Sequence, residues 1–277
     1  MFLAVSKWVV WLLVLGACLR AYSDPQPILS AESWEGVYSV QLSCHGPAEP
    51  VCQQIANQVD SGSVAVTQGG VYLQVLKAGT DWPFYGFKMV LRAGGRQATG
   101  TTGDTSSGVE VWLDRDPESG ILSGWIRDVR VVNDIKFVGT PIKATGKRTL
   151  ERLYARKLGG PELHVSEVVG EYAGNAQVDA GRLLLKDSAL SAEPTLQGAS
   201  FTDKESVNLY VFSELTLDPI RGLILLVQYD GGLPLRKWVL AFRREDVDYN
   251  PWLLGVGMHL RNGSVYDVTF EKRTPIQ

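Results

Sequence analysis

Residues 109–114 read Val-Glu-Val-Trp-Leu-Asp, "VEVWLD". In an extended chain successive side chains point to opposite sides. Val109, Val111 and Leu113 therefore share one face, and Glu110, Trp112 and Asp114 share the other. That alternation belongs to a strand with one face in a core and one face toward water. Runs of the same character lie on either side: "GVYSVQLS" (36–43), "VYLQVLK" (71–77), "YGFKMVLR" (85–92), "ILSGWIRDV" (121–129) and "IKFVGTPIKA" (135–144). All are rich in β-branched and aromatic residues. The segments "SGS", "QGG", "RAGGR", "DPESG" and "VND" between runs carry turn residues.

"RTLERLYARKL" (148–158) interrupts the pattern. Leu150, Leu153, Tyr154 and Leu158 recur at helical spacing, and Gly159-Gly160-Pro161 ends the run. This predicts a short linker helix. Strand-like runs then resume: "VGEYAGNAQV" (169–178), "GRLLLK" (181–186), "VNLYVF" (207–212), "GLILLVQY" (222–229), "KWVLAFRR" (237–244), "WLLGVGMHL" (252–260) and "SVYDVTFEKR" (264–273). The halves echo each other. Gly36-x-Tyr38 opens the first and Gly170-x-Tyr172 the second, while "DPESGIL" (116–122) returns as "DPIRGLI" (218–224) and "IKATGKR" (142–148) as "VTFEKR" (268–273).

The expected fold is all-β: two tandem antiparallel β-barrel or β-sandwich domains joined by a short helix, behind an N-terminal signal peptide. The boundaries read as a signal peptide at 1–23 (1–17 for a lipoprotein), a linker at 24–33, β domain 1 at 34–147, the helix at 148–161 and β domain 2 at 162–277. The Gly-x-Tyr opening beside Trp34 is similar, over three residues, to the Gly-x-Trp start of lipocalin barrels; no family is assigned on it. A single outer-membrane barrel is the rival architecture. Runs apolar on both faces, such as "GLILLVQY", speak against it.

The amino terminus reads "MFLAVSKWVVWLLVLGACLRAYS". Lys7 precedes an apolar run from Trp8 to Ala17, and Arg20 follows. A spanning helix needs about 20 apolar residues, so this shorter run reads as an export signal. Two processing sites compete. Ala21-Tyr22-Ser23 suits cleavage before Asp24. Leu15-Gly16-Ala17-Cys18 resembles the bacterial lipobox, which would imply a lipid on Cys18. The chain has three cysteines. Cys44 and Cys52 bracket "HGPAEPV" and can close a small disulfide loop in an oxidising compartment. Either processing route accounts for the remaining Cys18. The expected location is extracytoplasmic: the periplasm or outer membrane surface of a bacterium, lipid-anchored or soluble.

The net charge is −3, from 27 basic and 30 acidic residues. No basic stripe stands out, so nucleic acid is not an expected partner. Asp114, Asp116 and Glu118 could form a cation loop, but Ser119 stands where the bend needs Gly, and a hairpin turn fits better. "EDVDYN" (245–250) fails the same test. His45, His164 and His259 are not at metal-ligand spacing. No metal site or cofactor is expected, and no nucleophile elbow or phosphate loop occurs. The candidate binding surface is "DWPFYGF" (81–87), whose Trp82, Phe84, Tyr85 and Phe87 offer flat apolar area or else fill a core. "GGRQATGTTGDTSSG" (94–108) reads as a mobile connector. The function expected is binding or scaffolding in the cell envelope, with a glycan, lipid or protein ligand. The alternative is a periplasmic hydrolase acting on glycan or lipid through carboxylates the sequence does not locate.

Overall fold

The computed structural model describes residues 28–46, 49–80, 83–102, 108–142, 150–156, 160–176, 179–188, 195–203, 209–244 and 250–273. Cys18 and Trp82 lie outside them, as do most of "EDVDYN" and of "IKATGKR".

Eight antiparallel strands close the first barrel: β1 (Gly36–Cys44), β2 (Val59–Thr67), β3 (Gly70–Lys77), β4 (Pro83–Arg92), β5 (Gln97–Thr102), β6 (Glu110–Arg115), β7 (Leu122–Arg127) and β8 (Ile135–Pro141). Each strand pairs with the next, and β8 returns to β1. In β6, Val111 and Leu113 are in the core and Glu110 and Trp112 point out, as the alternation requires. The interior is filled by Leu73, Val75, Phe87, Val111, Ile126 and Phe137, among others. Both ends are stoppered. A 3-10 turn, Ala31–Trp34, buries Trp34 at one end, where its indole donates to the Gly95 carbonyl at 2.6 Å. At the other end, helix α1 (Pro50–Ala56) buries Cys52 and Ile55.

Cys44 at the end of β1 and Cys52 on α1 are at bonding distance, 2.10 Å between sulfurs. The last two residues of the expected seven-residue loop, Pro50 and Val51, already belong to this helix, which starts at Pro50, where a proline's missing N–H leaves no helical bond unmade. The bridge pins the stopper to the strand it closes over.

The second unit comprises β9 (Gly170–Ala176), β10 (Asp179–Asp187), β11 (Leu196–Asp203), β12 (Leu209–Phe212), β13 (Glu214–Asp218), β14 (Leu223–Asp230), β15 (Leu233–Arg243), β16 (Trp252–His259) and β17 (Ser264–Lys272). β9 pairs with β17 and the sheet runs outward to β12 and β13 at its edges. Only Ser213 separates those two edge strands, so the sheet curls nearly shut. Counting β12 and β13 as one broken strand gives a second eight-membered meander. Its core holds Tyr172, Phe201, Phe212, Trp238, Leu240 and Phe270.

The two Gly-x-Tyr openings do the same job. Gly36 and Gly170 have φ of 150° and 140°, backbone that a side chain would strain. Each lets the chain turn from a helical stopper into the strand. The following tyrosine then donates back to the carbonyl four residues earlier, Tyr38 to Trp34 at 2.6 Å and Tyr172 to Val168 at 2.7 Å. Val168 lies in α3 (Val165–Val168), the second barrel's counterpart of the Trp34 turn. The "DP" echo does not correspond in this way. Asp116 begins the turn from β6 to β7, whereas Asp218 ends β13, before the fifth strand of its own meander.

The sequence-predicted linker helix is α2 (Leu150–Tyr154). It packs at the junction of the barrels, where Leu153 joins Ala65, Leu223, Val239, Val256 and Met258 in a third apolar cluster. These side chains stand on the outer faces of β2 and of β14–β16. The faces bury Ser63, which donates to the Leu260 carbonyl at 2.8 Å, and Gln74, which donates to the Pro234 carbonyl at 2.5 Å. Lys237 of β15 is inserted between the barrels with its side chain fully buried. It donates at 2.5 Å to Glu35, at 2.5 Å to the Val66 carbonyl and at 2.9 Å to the Tyr154 hydroxyl.

The expectation of a mobile connector at 94–108 is corrected in part: Gln97–Thr102 form β5. Its inward positions are Ala98 and Gly100, too small to mark a strand in the sequence. A Cβ on Gly100 would come within 2.9 Å of the Lys88 carbonyl oxygen, so the close approach of β4 explains the glycine.

Candidate functional site

Strand register assembles one polar row inside the mouth of the second barrel. Gln228 lies opposite Arg236, Arg236 opposite His259, and His259 opposite Ser264. Arg236 belongs to the inward set of β15 because Trp238, Leu240 and Phe242 of the same parity form the barrel core. The next row inward is Trp238, Gly257 and Tyr266. A Cβ on Gly257 would strike the Tyr266 ring at 2.2 Å. The glycine therefore lets that ring lie across β16, and Trp238 Nε1 donates to the Tyr266 hydroxyl at 2.9 Å.

The result is a cavity of about 180 Å3 lined by Phe201, Tyr210, Arg236, Trp238, His259 and Tyr266, with Asn262 and Ser264 at the rim. Its floor is aromatic: Phe201 stacks on Tyr210 at 5.7 Å and meets Trp238 edge-on at 5.3 Å. The Arg236 guanidinium lies 4.4 Å over the Tyr210 ring and donates to Gln228 Oε1 at 2.8 Å. An arginine has five N–H donors in a planar fork, and the bond to Gln228 uses one. A ring-sized ligand carrying a carboxylate suits this combination, since a fork and a carboxylate match in geometry and charge.

The mouth of the first barrel holds a different cluster. Asp128, buried at 1% exposure, accepts from the Tyr85 hydroxyl at 2.7 Å and from Arg130 Nε at 2.9 Å. Burial pushes the Asp128 carboxyl up; the bonds from Arg130 and Tyr85 outweigh it and hold the group below the ordinary aspartate range. Burial, then the Asp128 bond, raise the Tyr85 hydroxyl. The phenol stays protonated and the carboxylate charged, an arrangement that ties the β7–β8 connection to β4. Because the folded pKa is depressed, the stability from Asp128 is present above the unfolded value near 4 and fades as pH falls below it. Asp128→Asn is expected to cost about 2 kcal/mol at pH 7. In urea titrations the gap between variant and parent should narrow as pH falls below about 4; an unchanged gap at pH 3 would refute the assignment.

Tyr85 and Phe87, two of the four residues expected to form a binding surface, are interior, at 4% and 0% exposure. Phe84 is half-buried against the same core and lies 5.9 Å from the Arg130 guanidinium. These three fill a core, the other reading of "DWPFYGF". Asp116 Oδ1 accepts from Glu118 N, Ser119 N and Ser119 Oγ, which makes "DRDPESG" a hairpin turn. His164 caps α3 and His45 packs edge-on against Trp125. Only His259 enters the cavity. Among the described residues no three of His, Cys, Asp and Glu converge as a metal site.

No family model matches the chain, and no curated protein matches it. Among solved structures it is similar to a candidate outer membrane protein of Bacteroides fragilis, at 10% identity and a TM-score of 0.26, over 88% of this chain and 99% of that one. At that level the fold rests on the strand pairing above, and the function on the site.

Proposed function

We propose that this protein is an exported, extracytoplasmic binding protein of a bacterial cell envelope, whose second barrel takes a sugar-sized organic acid at its mouth. The observation that carries the reading is the placement of Arg236. A guanidinium stands at the entrance of an aromatic-floored cavity, fixed by Gln228 and Tyr210 and facing no carboxylate partner among the described residues. A cavity of about 180 Å3 is below the roughly 300–1,000 Å3 of ordinary organic-ligand sites, which favours a single ring. Export is supported by the apolar run ending at Ala17 and by the Cys44–Cys52 pair, a bond that persists in oxidising compartments. Lipid attachment at Cys18 belongs to the same reading, as does descent of the two barrels from one duplicated domain. The shared Gly-x-Tyr turns support the duplication.

The hydrolase alternative needs a carboxyl held protonated in a cleft. Among the described residues Asp116 and Asp128 both move below the ordinary carboxyl range instead.

Glucuronate titrated into the protein is expected to change the Trp238 emission, with glucose binding more weakly. Arg236→Gln should weaken glucuronate at least about tenfold, the loss of one charge-assisted bond. Equal affinities for the two sugars, or for parent and variant, would sink the site. Intact mass reads the other half: a start at Cys18 plus acyl chains means an anchor, a start at Asp24 means none, and a start at Met1 overturns export.

A further inference from the structure

The outside of the first barrel carries another row set by register. Val90 lies opposite Thr99, Thr99 opposite Trp112, Trp112 opposite Trp125, and Trp125 opposite Lys136. All five point outward, because Met89, Ala98, Val111, Ile126 and Phe137 beside them are core. Two indoles thus stand side by side on a surface strand pair. Trp125 is 36% exposed and Val90 59%.

Trp112 forms one bank of a trough of about 320 Å3 along β5. Thr99, Gly100 and Thr101 make its floor, Lys88, Val90 and Arg92 its far bank, and Glu110, the one acid in the lining, stands beside Trp112 and opposite Arg127 in register. The Arg127 guanidinium lies 4.9 Å over the Trp112 ring from the β7 side. The indole is therefore braced on one side and borders the trough on the other. His45 braces Trp125 in the same manner, edge-on at 5.3 Å.

An open trough with a hydroxyl-bearing floor and one aromatic bank, continued outward by Trp125, suits a chain of sugar rings. Each pyranose has a C–H face that packs on an indole and equatorial hydroxyls that reach threonines. The charges select among glycans. Arg127 pairs with Asp134 at 3.1 Å, while Lys88, Arg92 and Lys136 have no carboxylate partner among the described residues. A lipid surface would need a continuous apolar band, and here Lys88, Thr99, Thr101 and Lys136 break it.

We propose that this face is a binding groove for an acidic polysaccharide. Trp112 and Trp125 stack on sugar rings, and Lys88, Arg92 and Lys136 meet carboxylates along the chain. The proposal is independent of the cavity in the second barrel.

Calorimetric titration with a mannuronate hexamer tests it, with cellohexaose as the neutral chain and phosphatidylglycerol vesicles as the lipid arm. The acidic hexamer should bind at least about tenfold tighter than the neutral one. Trp112→Ala and, separately, Trp125→Ala should each weaken it about three- to tenfold. Lys88→Gln with Arg92→Gln, a surface pair that leaves the core untouched, should weaken it similarly and flatten its salt dependence. Trp112→Ala should leave the Trp238 emission change with glucuronate as in the parent, which separates this groove from the cavity. Equal binding of the two hexamers, indifference to all three groove variants, a preference for vesicles, or a dimer that Trp112→Ala dissociates would each overturn the proposal.

Discussion

Replacing Lys237 with methionine is expected to lower the unfolding free energy by about 3–5 kcal/mol. The side chains of Lys237 and Glu35 are both fully buried, 2.5 Å apart. Removing the cation leaves the carboxylate in a low-dielectric junction with only the Val66 N–H and the Tyr154 hydroxyl as donors. Burial, then the Glu35 charge, push the Tyr154 hydroxyl well above its ordinary value, so it remains a donor and cannot neutralise the acid. The pair itself need not contribute net stability, since desolvating two ions offsets much of their attraction. The double variant Glu35→Gln, Lys237→Met should accordingly recover more than half of the loss. Guanidinium titration followed by tryptophan emission measures both. A single-variant cost below about 1 kcal/mol would show that the charges are not confined as described. Because Glu35 precedes β1 and Lys237 sits in β15, the network also couples the barrels, and the parent should unfold in one transition.

Lys237 shows why so much of the junction was illegible in the sequence. In "KWVLAFRR" a lysine at an outward position reads as a solvated charge. Its partner is 202 residues away, and no local pattern announces it. The same burial hid β2: Ser63 and Ala65 on its outer face are covered by the second barrel, so "DSGSVAV" lacks a wet face with which to alternate. β6 was readable because its outer face does meet solvent and its inner face does not. The helix α1 was missed because two cysteines and two prolines suggest a loop, and seven residues are too few for a clear helical period. For the cavity, Gln228, Arg236, His259 and Ser264 each look like an ordinary polar strand end. Pairing of β14 to β17 puts them in one row, and register is a property of the folded sheet. Gly257 was the one available signal. A glycine in the middle of "WLLGVGMHL" marks a place on the strand face where something must approach closely, here the Tyr266 ring.

The Tyr266 ring that crosses Gly257 is held by Trp238, whose loss gives the other large effect. Trp238→Ala is expected to destabilise the protein by about 3–5 kcal/mol, the range for deleting a buried large aromatic side chain. The indole meets Phe212 at 4.9 Å, Phe201 at 5.3 Å and Phe270 at 5.7 Å, so its removal unpacks three rings at once. It also takes away the donor at 2.9 Å from the Tyr266 hydroxyl. Collapse into the space is resisted by closed strand pairing on both sides of β15, which keeps the hole open and the cost near the upper end. Trp238→Phe retains much of the ring contact and should cost about half as much. Its residual penalty comes from the smaller ring and the lost indole donor. If the alanine and phenylalanine variants unfold at the same denaturant concentration, packing of the indole is not what holds the second barrel. If the alanine variant matches the parent, the aromatic floor of the cavity is looser than these distances allow, and the site built on it falls with it.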